Sequence, residues 1–191
     1  MIKIGLTGVI GSGKTTAVNH FISLGVPVFI ADDFAKKLMT NDTDLKSDII
    51  DLLGENAYLG LELNKEFISD RIFNNKDLLI SINNLVHPKV NKAYNNWLKE
   101  QNFAYSIYEA ALIFENKSES HFDKIICIKT PLDIIHYRLK SRPHYSKNKI
   151  NLILKNQINQ DVKCSKSDFC IDNTSIDELR DQINRIHFNF K

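Results

Sequence analysis

A chain of 191 residues has room for one domain with a subdomain and can bury a full core. It is 43% hydrophobic and 25% charged, and its 25 basic residues nearly cancel its 23 acidic ones, so no global field recruits nucleic acid or a membrane surface. No apolar run is long enough to span a bilayer.

In chain order, the apolar run Ile2-Lys-Ile-Gly-Leu-Thr7 predicts a buried strand. It opens directly into Gly8-Val-Ile-Gly-Ser-Gly-Lys-Thr15, and residues 15–24 then read as a helix with Ala17, Val18, Phe21 and Ile22 on one face and Gly25 as its stop. A second short strand over 26–31 ends at the acidic pair Asp32-Asp33. Residues 33–103 read as almost entirely helical. Leu45, Ile49, Ile50, Leu52 and Leu53 recur at helical spacing up to Gly54, Asn64 suits a cap, and Pro88 suits the first turn of a further helix through Trp97. Strands resume at 105–112, 124–128 and 168–171, with helices after Pro131 and Ser146 and a closing helix over 175–187.

Strands alternating with helices predict a five-stranded parallel sheet covered on both faces. The expected organisation is an α/β three-layer sandwich with a core at 1–32 and 104–191. The insert at 33–103 is too long for one crossover and is expected to be a helical subdomain over the substrate, with a small lid at 138–150. The three cysteines Cys127, Cys164 and Cys170 show no CxxC spacing and are odd in number, so they are expected to be reduced, buried thiols. With a strand at the very start, no leader peptide is expected and the predicted location is cytoplasmic.

Gly8-x-x-x-x-Gly13-Lys14-Thr15 has the spacing of a phosphate-binding loop, with a strand before it and a helix after it. Gly8, Gly11 and Gly13 let the backbone approach closely, and the N–H groups of Gly8 through Thr16, including Val9, Ile10 and Ser12, would form a cup at the start of a helix dipole. Lys14 is placed to reach the β- and γ-phosphates, and the Thr15 hydroxyl to ligate Mg²⁺. The pattern therefore predicts a nucleoside triphosphate as ligand.

Other residues carry two readings each. Asp32 stands just past the second strand, where open α/β sheets place ligands; it either orients an attacking hydroxyl or caps the following helix. Arg138, Lys140 and Arg142 either form the cationic face of a flap or the solvated end of a helix. His87 either touches substrate or is structural. Glu109 and Glu115 bracket the end of the third sheet strand; they either sit near the metal or substrate or are ordinary exposed strand-end carboxylates. Asp51-x-x-Gly54 and Asn116-Lys-Ser-Glu119 imitate motifs of a nucleotide switch that binds GTP, but Asp51 lies in a helical pattern and Glu119 replaces the expected aspartate.

Along nearly its whole length the chain resembles the dephospho-coenzyme A kinases. Leu6-Thr-Gly-Val-Ile-Gly-Ser-Gly-Lys-Thr15 is similar to that family's loop and Leu24-Gly-Val-Pro-Val-Phe-Ile-Ala-Asp32 to its second strand and catalytic aspartate. Arg71-Ile-Phe73, Leu85-Val-His-Pro88, Ala111-Leu-Ile-Phe-Glu115, Arg138-Leu-x-x-Arg142, Gln157 and Ser167-Asp-Phe-Cys-Ile-Asp-Asn173 follow in the family's order. The resemblance implies a P-loop kinase that phosphorylates the ribose 3′-hydroxyl of dephospho-coenzyme A with ATP and Mg²⁺, without nucleic acid, membrane or an obligatory protein partner. It further implies Asp32 as base, His87 in the acceptor-side subdomain, Arg138 and Arg142 on the lid arm, and Asn173 near adenine. The chain departs from the family at Ile30-Ala31-Asp32, where Asp-Ala-Asp is frequent, and at Ala111-Leu112-Ile113, where Pro-Leu-Leu is. It departs again at Lys36, which stands where an arginine is frequent; it keeps the charge without bidentate reach. A kinase of another small hydroxyl-bearing metabolite, or a nucleotide-dependent switch, is the alternative reading.

Overall fold

The computed structural model describes residues 1–73, 75–141 and 145–191. The chain divides into two compact units, one of Met1–Ile30 with Gln101–Lys191 and one of Ala31–Glu100. Among the described residues no helix is long and apolar enough to cross a membrane.

The first unit holds a five-stranded sheet. Its strands are β1 (Ile2–Gly8), β2 (Val28–Ile30), β5 (Tyr105–Glu109), β6 (Lys124–Lys129) and β7 (Phe169–Asp172). They run in the order β2-β5-β1-β6-β7, and every neighbouring pair is parallel. β1 is central, between β5 and β6, and its residues from Ile4 to Gly8 are buried. A strand buried on both faces reads as a continuous apolar run, which is why the opening residues were legible. The chain leaves β1 toward β2 on one side and later crosses to β6 on the other, so the order reverses at β1. In open α/β sheets ligands bind beyond the carboxyl ends of strands at such a reversal.

Helices α1 (Lys14–Ser23) and α9 (Ile176–Phe190) cover one face. Ala17, Val18 and Phe21 from α1 and Leu179, Ile183 and Ile186 from α9 share a buried cluster with Ile4, Leu6, Tyr105, Ile107, Ile126, Ile128 and Ile171. Removing a fully buried phenylalanine such as Phe21 costs about 3–5 kcal/mol. Ile113, Phe114 and Ile125 form a second cluster with Ala110, Phe122 and Ile158. Helix α8 (Gln160–Ser165) packs on β6. Helices α6 (Leu132–Lys140) and α7 (Lys147–Asn156) contribute Ile135, Leu139 and Ile150 to a third cluster around Val9.

The second unit contains α2 (Ala31–Asn41), α3 (Thr43–Leu53), a hairpin of β3 (Tyr58–Leu59) and β4 (Glu62–Leu63), α4 (Lys65–Phe73) and α5 (Lys76–Lys99). Ile82, Val86, Val90 and Tyr94 recur every fourth residue as the buried face of α5, against which α2, α3 and α4 pack. Asp42 caps α3 by accepting from the Leu45 N–H at 2.9 Å and ties it to α5 by accepting from Lys89 at 2.7 Å.

Four expectations need correction. Pro88 lies inside α5 rather than in a first turn. A proline withholds one N–H from the preceding turn, a loss that the packing of Val86 and Val90 on either side outweighs. The stretch 33–103 is not all helix, because it holds the β3–β4 hairpin, turned at Gly60 with φ 64°. β5 ends at Glu109, well short of Leu112. The cysteines also differ from expectation: Cys164 and Cys170 form a disulfide between α8 and β7, their Cα atoms 5.2 Å apart. Cys127 is free and buried, and burial pushes its thiol up to about 11.

Candidate functional site

β1 delivers the chain into residues 8–13, and Gly13 is the N-cap of α1 with φ 95° and ψ 21°. A side chain there would be strained by that conformation, and its Cβ would collide with the Asn173 Nδ2. At Gly8 a Cβ would meet the Ser12 Oγ at 2.5 Å and the Ile128 carbonyl at 2.7 Å. The two glycines are therefore required by the close approach of the Asn173 and Ser12 side chains and the Ile128 carbonyl.

Contacts from four directions hold the loop. The Ser12 N–H donates to the Val9 carbonyl at 3.1 Å, and the Ile10 N–H to the Gln157 Oε1 at 3.0 Å. The Ser12 carbonyl accepts from the Asn173 Nδ2 and from the Thr130 Oγ1, both at 2.8 Å. Val9 and Ile10 are gripped by the apolar side chains of α6 and α7. α3, α5, α8 and α9 are each capped by a side chain, from Asp42, Asn75, Asn159 and Ser175. α1 has no side-chain cap and no acidic residue in its first turn. The positive end of its dipole is thus not neutralised from within, which favours an anion there.

Lys14 folds over the loop, its ammonium donating to the carbonyls of Gly8 at 3.0 Å and Val9 at 3.4 Å. Thr15 and Thr16 are exposed on the first turn of α1. The Ser12 hydroxyl is buried and, among the described residues, has no hydrogen-bond partner, an orphaned polar atom inside the cradle. Among the described residues no group of three or more His, Cys, Asp or Glu could hold a metal. Mg²⁺ needs no such cluster, because it keeps water and substrate phosphates as most of its ligands, and the Thr15 hydroxyl is an exposed oxygen at the loop's end.

A glycine loop anchored in this way, at the carboxyl end of the central strand, has the arrangement of a phosphate-binding loop. A sequence model of the dephospho-CoA kinase family matches residues 2–178. The chain belongs to that family. It is similar to the dephospho-CoA kinase of Gamma-proteobacterium EBAC31A08, at 34% identity over 190 residues covering 98% of this chain and 96% of the relative. In fold it is similar to the crystal structure of TT1252 from Thermus thermophilus, with a TM-score of 0.90 at 24% identity over 98% of this chain and 96% of that one. It is also similar to the dephospho-CoA kinase from Campylobacter jejuni, with a TM-score of 0.63 at 24% identity over 99% and 97% of the two chains.

In this dephospho-CoA kinase family member the remaining predicted residues fall as follows. Glu109 is the last residue of β5, buried, in register with Leu6 and Ile30 at the carboxyl edge of the sheet. Arg138 sits in the last turn of α6, and its Nη2 donates to the Asn173 carbonyl and Oδ1, both at 3.3 Å. Arg142 lies outside the described residues, as does the centre of the predicted lid. Glu115 is not placed to hold a metal: it pairs with the fully buried Lys163 at 2.8 Å and accepts from the Ile158 N–H at 2.8 Å. Asp51 lies within α3, which removes the strand-end aspartate a GTP switch requires.

In the second unit, Asp32 is the second residue of α2, inside its first turn rather than at a cap. It is exposed, and within its unit its carboxylate makes no hydrogen bond or ion pair among the described residues. Lys36 is exposed and pairs loosely with Asp33 at 3.5 Å. His87 is half-buried on α5, and burial holds its pKa below the ordinary histidine value, so the ring is neutral at pH 7. Sequence reasoning missed Thr130, Gln160 and Lys163. Thr130 follows β6 immediately, and a buried polar residue at a strand's carboxyl end was the available signal.

Proposed function

We propose that this chain transfers the γ-phosphoryl group of ATP to the ribose 3′-hydroxyl of dephospho-coenzyme A, giving coenzyme A and ADP. Family membership supports the two substrates. The observation that carries the chemistry is the anchored loop with its uncapped helix start.

The cup formed by Gly8, Val9, Ile10, Gly11, Ser12 and Gly13 with the first residues of α1 grips the β- and γ-phosphates. Lys14 leaves its resting carbonyls for the non-bridging oxygens, and Thr15 and Thr16 present hydroxyls at the same helix end. The Thr15 hydroxyl would hold Mg²⁺, which when bound would supply neutralisation of the charge that develops during transfer. Arg138 and Arg142 add positive charge to the transferring group. Asp32 orients the acceptor hydroxyl and takes its proton late, because a loose transition state requires little early deprotonation. The bond from the acceptor oxygen to the γ-phosphorus forms as the bridging β–γ bond breaks, and ADP leaves.

On the acceptor side, His87, Lys36 and Glu109 are the proposed contacts. An exposed ion pair as long as that of Lys36 with Asp33 contributes little, so Lys36 can turn to an acceptor phosphate. Residues 138–150 are the proposed lid, and 33–103 the proposed acceptor-covering region.

Measuring ADP release with and without dephospho-coenzyme A tests the reading, with phosphorus NMR of the product to locate the new phosphate. Turnover should depend on the acceptor and give a 3′-phosphomonoester. ADP release indifferent to it, or driven only by another hydroxyl compound, would overturn the assignment.

A further inference from the structure

We infer that Asn173 is a positioning residue for phosphoryl transfer: its amide sets the Ser12–Gly13 peptide of the phosphate loop and holds Arg138 at a resting place beside it, instead of reading the adenine base. For Arg138 the inference rests on the catalytic reading above.

Asn173 is the first residue after β7, and its N–H donates to the Lys129 carbonyl at 2.8 Å. The residue is 2% exposed, and its side chain meets two groups of opposite polarity. The Nδ2 donates to the Ser12 carbonyl at 2.8 Å, and the Oδ1 accepts from the Arg138 Nη2 at 3.3 Å. A carbonyl can only accept and a guanidinium can only donate, so the two partners together fix which end of the amide is which. Each end is engaged, and a group this buried presents no edge to a base.

The Ser12 carbonyl is clamped twice, because the Thr130 Oγ1 also donates to it at 2.8 Å. Thr130 is itself held at both backbone groups by the Gln160 side chain, at 3.1 and 2.9 Å. The peptide is planar and trans, so the Gly13 N–H points opposite to the Ser12 carbonyl. Two donors on that carbonyl therefore aim the Gly13 N–H away from Asn173 and Thr130, before any phosphate arrives. Asn173 packs so closely on Gly13 that a Cβ there would collide with its Nδ2, so the loop can approach the amide only with glycine at this position.

The other end of the amide works on Arg138. Its Nη2 is shared between the Asn173 Oδ1 and carbonyl, both at 3.3 Å, longer than usual for such bonds. The guanidinium is thus placed but weakly held, ready to transfer to a more negative partner. One residue couples the loop's donor geometry to the arginine's rest position.

The test compares wild type with Asn173→Ala, Arg138→Ala and the double variant. Calorimetry measures affinity for ATP and for inorganic tripolyphosphate, which carries phosphates but no base; steady-state assays give kcat and KM. For Asn173→Ala, both ligands should weaken by the same factor, about 10-fold, and kcat should fall about 10- to 100-fold, as for a small misplacement of reacting groups. The double variant should turn over within about threefold of the slower single variant, the non-additivity of coupled residues. Loss of ATP affinity with tripolyphosphate unchanged would make Asn173 an adenine reader and overturn the inference. So would single-variant losses that multiply in the double, or wild-type kcat with only a lowered melting temperature. Arg138→Ala at the wild-type rate would instead refute the catalytic place of Arg138 and the arginine half of the inference, leaving the loop half to the tripolyphosphate result. Should Asn173→Ala not fold, Asn173→Asp keeps the volume and the Arg138 acceptor but loses the donor to Ser12, and the same tripolyphosphate comparison decides.

Discussion

Replacing Asp32 by asparagine separates catalysis from helix support. Asp32 is exposed in the first turn of α2, and within its unit its carboxylate has no hydrogen bond or ion pair among the described residues. What the fold loses is one negative charge at the positive end of a helix, about 0.3–1 kcal/mol. In a protein of this size that moves the melting midpoint by about 1–4 °C. A group that orients and deprotonates the acceptor contributes about 10²–10⁴ in rate, which is about 2.7–5.4 kcal/mol of barrier. The barrier change therefore exceeds the stability change several-fold, and the two are read by different instruments. The assay is kcat for dephospho-coenzyme A at saturating ATP, beside a thermal melt and an ATP titration. Turnover should fall 10²–10⁴-fold, with the midpoint within about 4 °C and ATP affinity nearly constant, because the loop and not Asp32 grips the phosphates. A purely structural Asp32 would lose only this helix-end charge, leaving turnover near wild type beside the same small shift in midpoint. Activity within a few-fold of wild type refutes the catalytic role.

Lys14→Ala should lower turnover about 10²–10³-fold with circular dichroism unchanged, since it removes a preorganised charge; a wild-type rate would sink the assignment. Lys163→Met leaves Glu115 without its buried cation, which costs about 3–5 kcal/mol, or about 6–20 °C in melting midpoint, and a shift under 2 °C would show that the pair is dispensable. Stability should also fall in acid. Burial holds His87 and His187 below the ordinary histidine pKa, helped at His187 by the charges of Lys191 and His20. The folded state therefore binds protons less readily than the unfolded chain. Their contribution is complete above about pH 6.5 and declines as pH falls below it. Urea midpoints at pH 8 and pH 5.5 measure this, and a midpoint independent of pH in the variant lacking both histidines is the expected control.

What the sequence alone determined was whatever a few adjacent residues dictate. The run from Ile4 to Gly8, the glycine spacing and the following Lys14-Thr15 announced strand, phosphate loop and helix within sixteen residues, since each depends on backbone conformation a short stretch sets for itself. Gly54 and Asn64 were legible for the same reason: one ends α3 at φ 90°, and the other accepts the Phe67 N–H at 3.2 Å. The ordered set of motifs carried the family, because order along a chain is a one-dimensional property. Tertiary structure decided what depends on residues far apart in the chain. Pro88 reads locally as a helix start, yet burial of Val86 and Val90 carries α5 straight through it. Cys164 and Cys170 look unpaired until α8 and β7 bring them together. Glu115 read either as a carboxylate near a metal or as an ordinary strand-end group until Lys163, 48 residues later, paired with it. Asn173 and Ser12 are separated by 161 residues, and only the parallel packing of β1, β6 and β7 puts the amide of one on the carbonyl of the other. A hydrogen bond of 2.8 Å across that distance leaves no periodicity in sequence, because it is made by the sheet and not by the neighbouring residues.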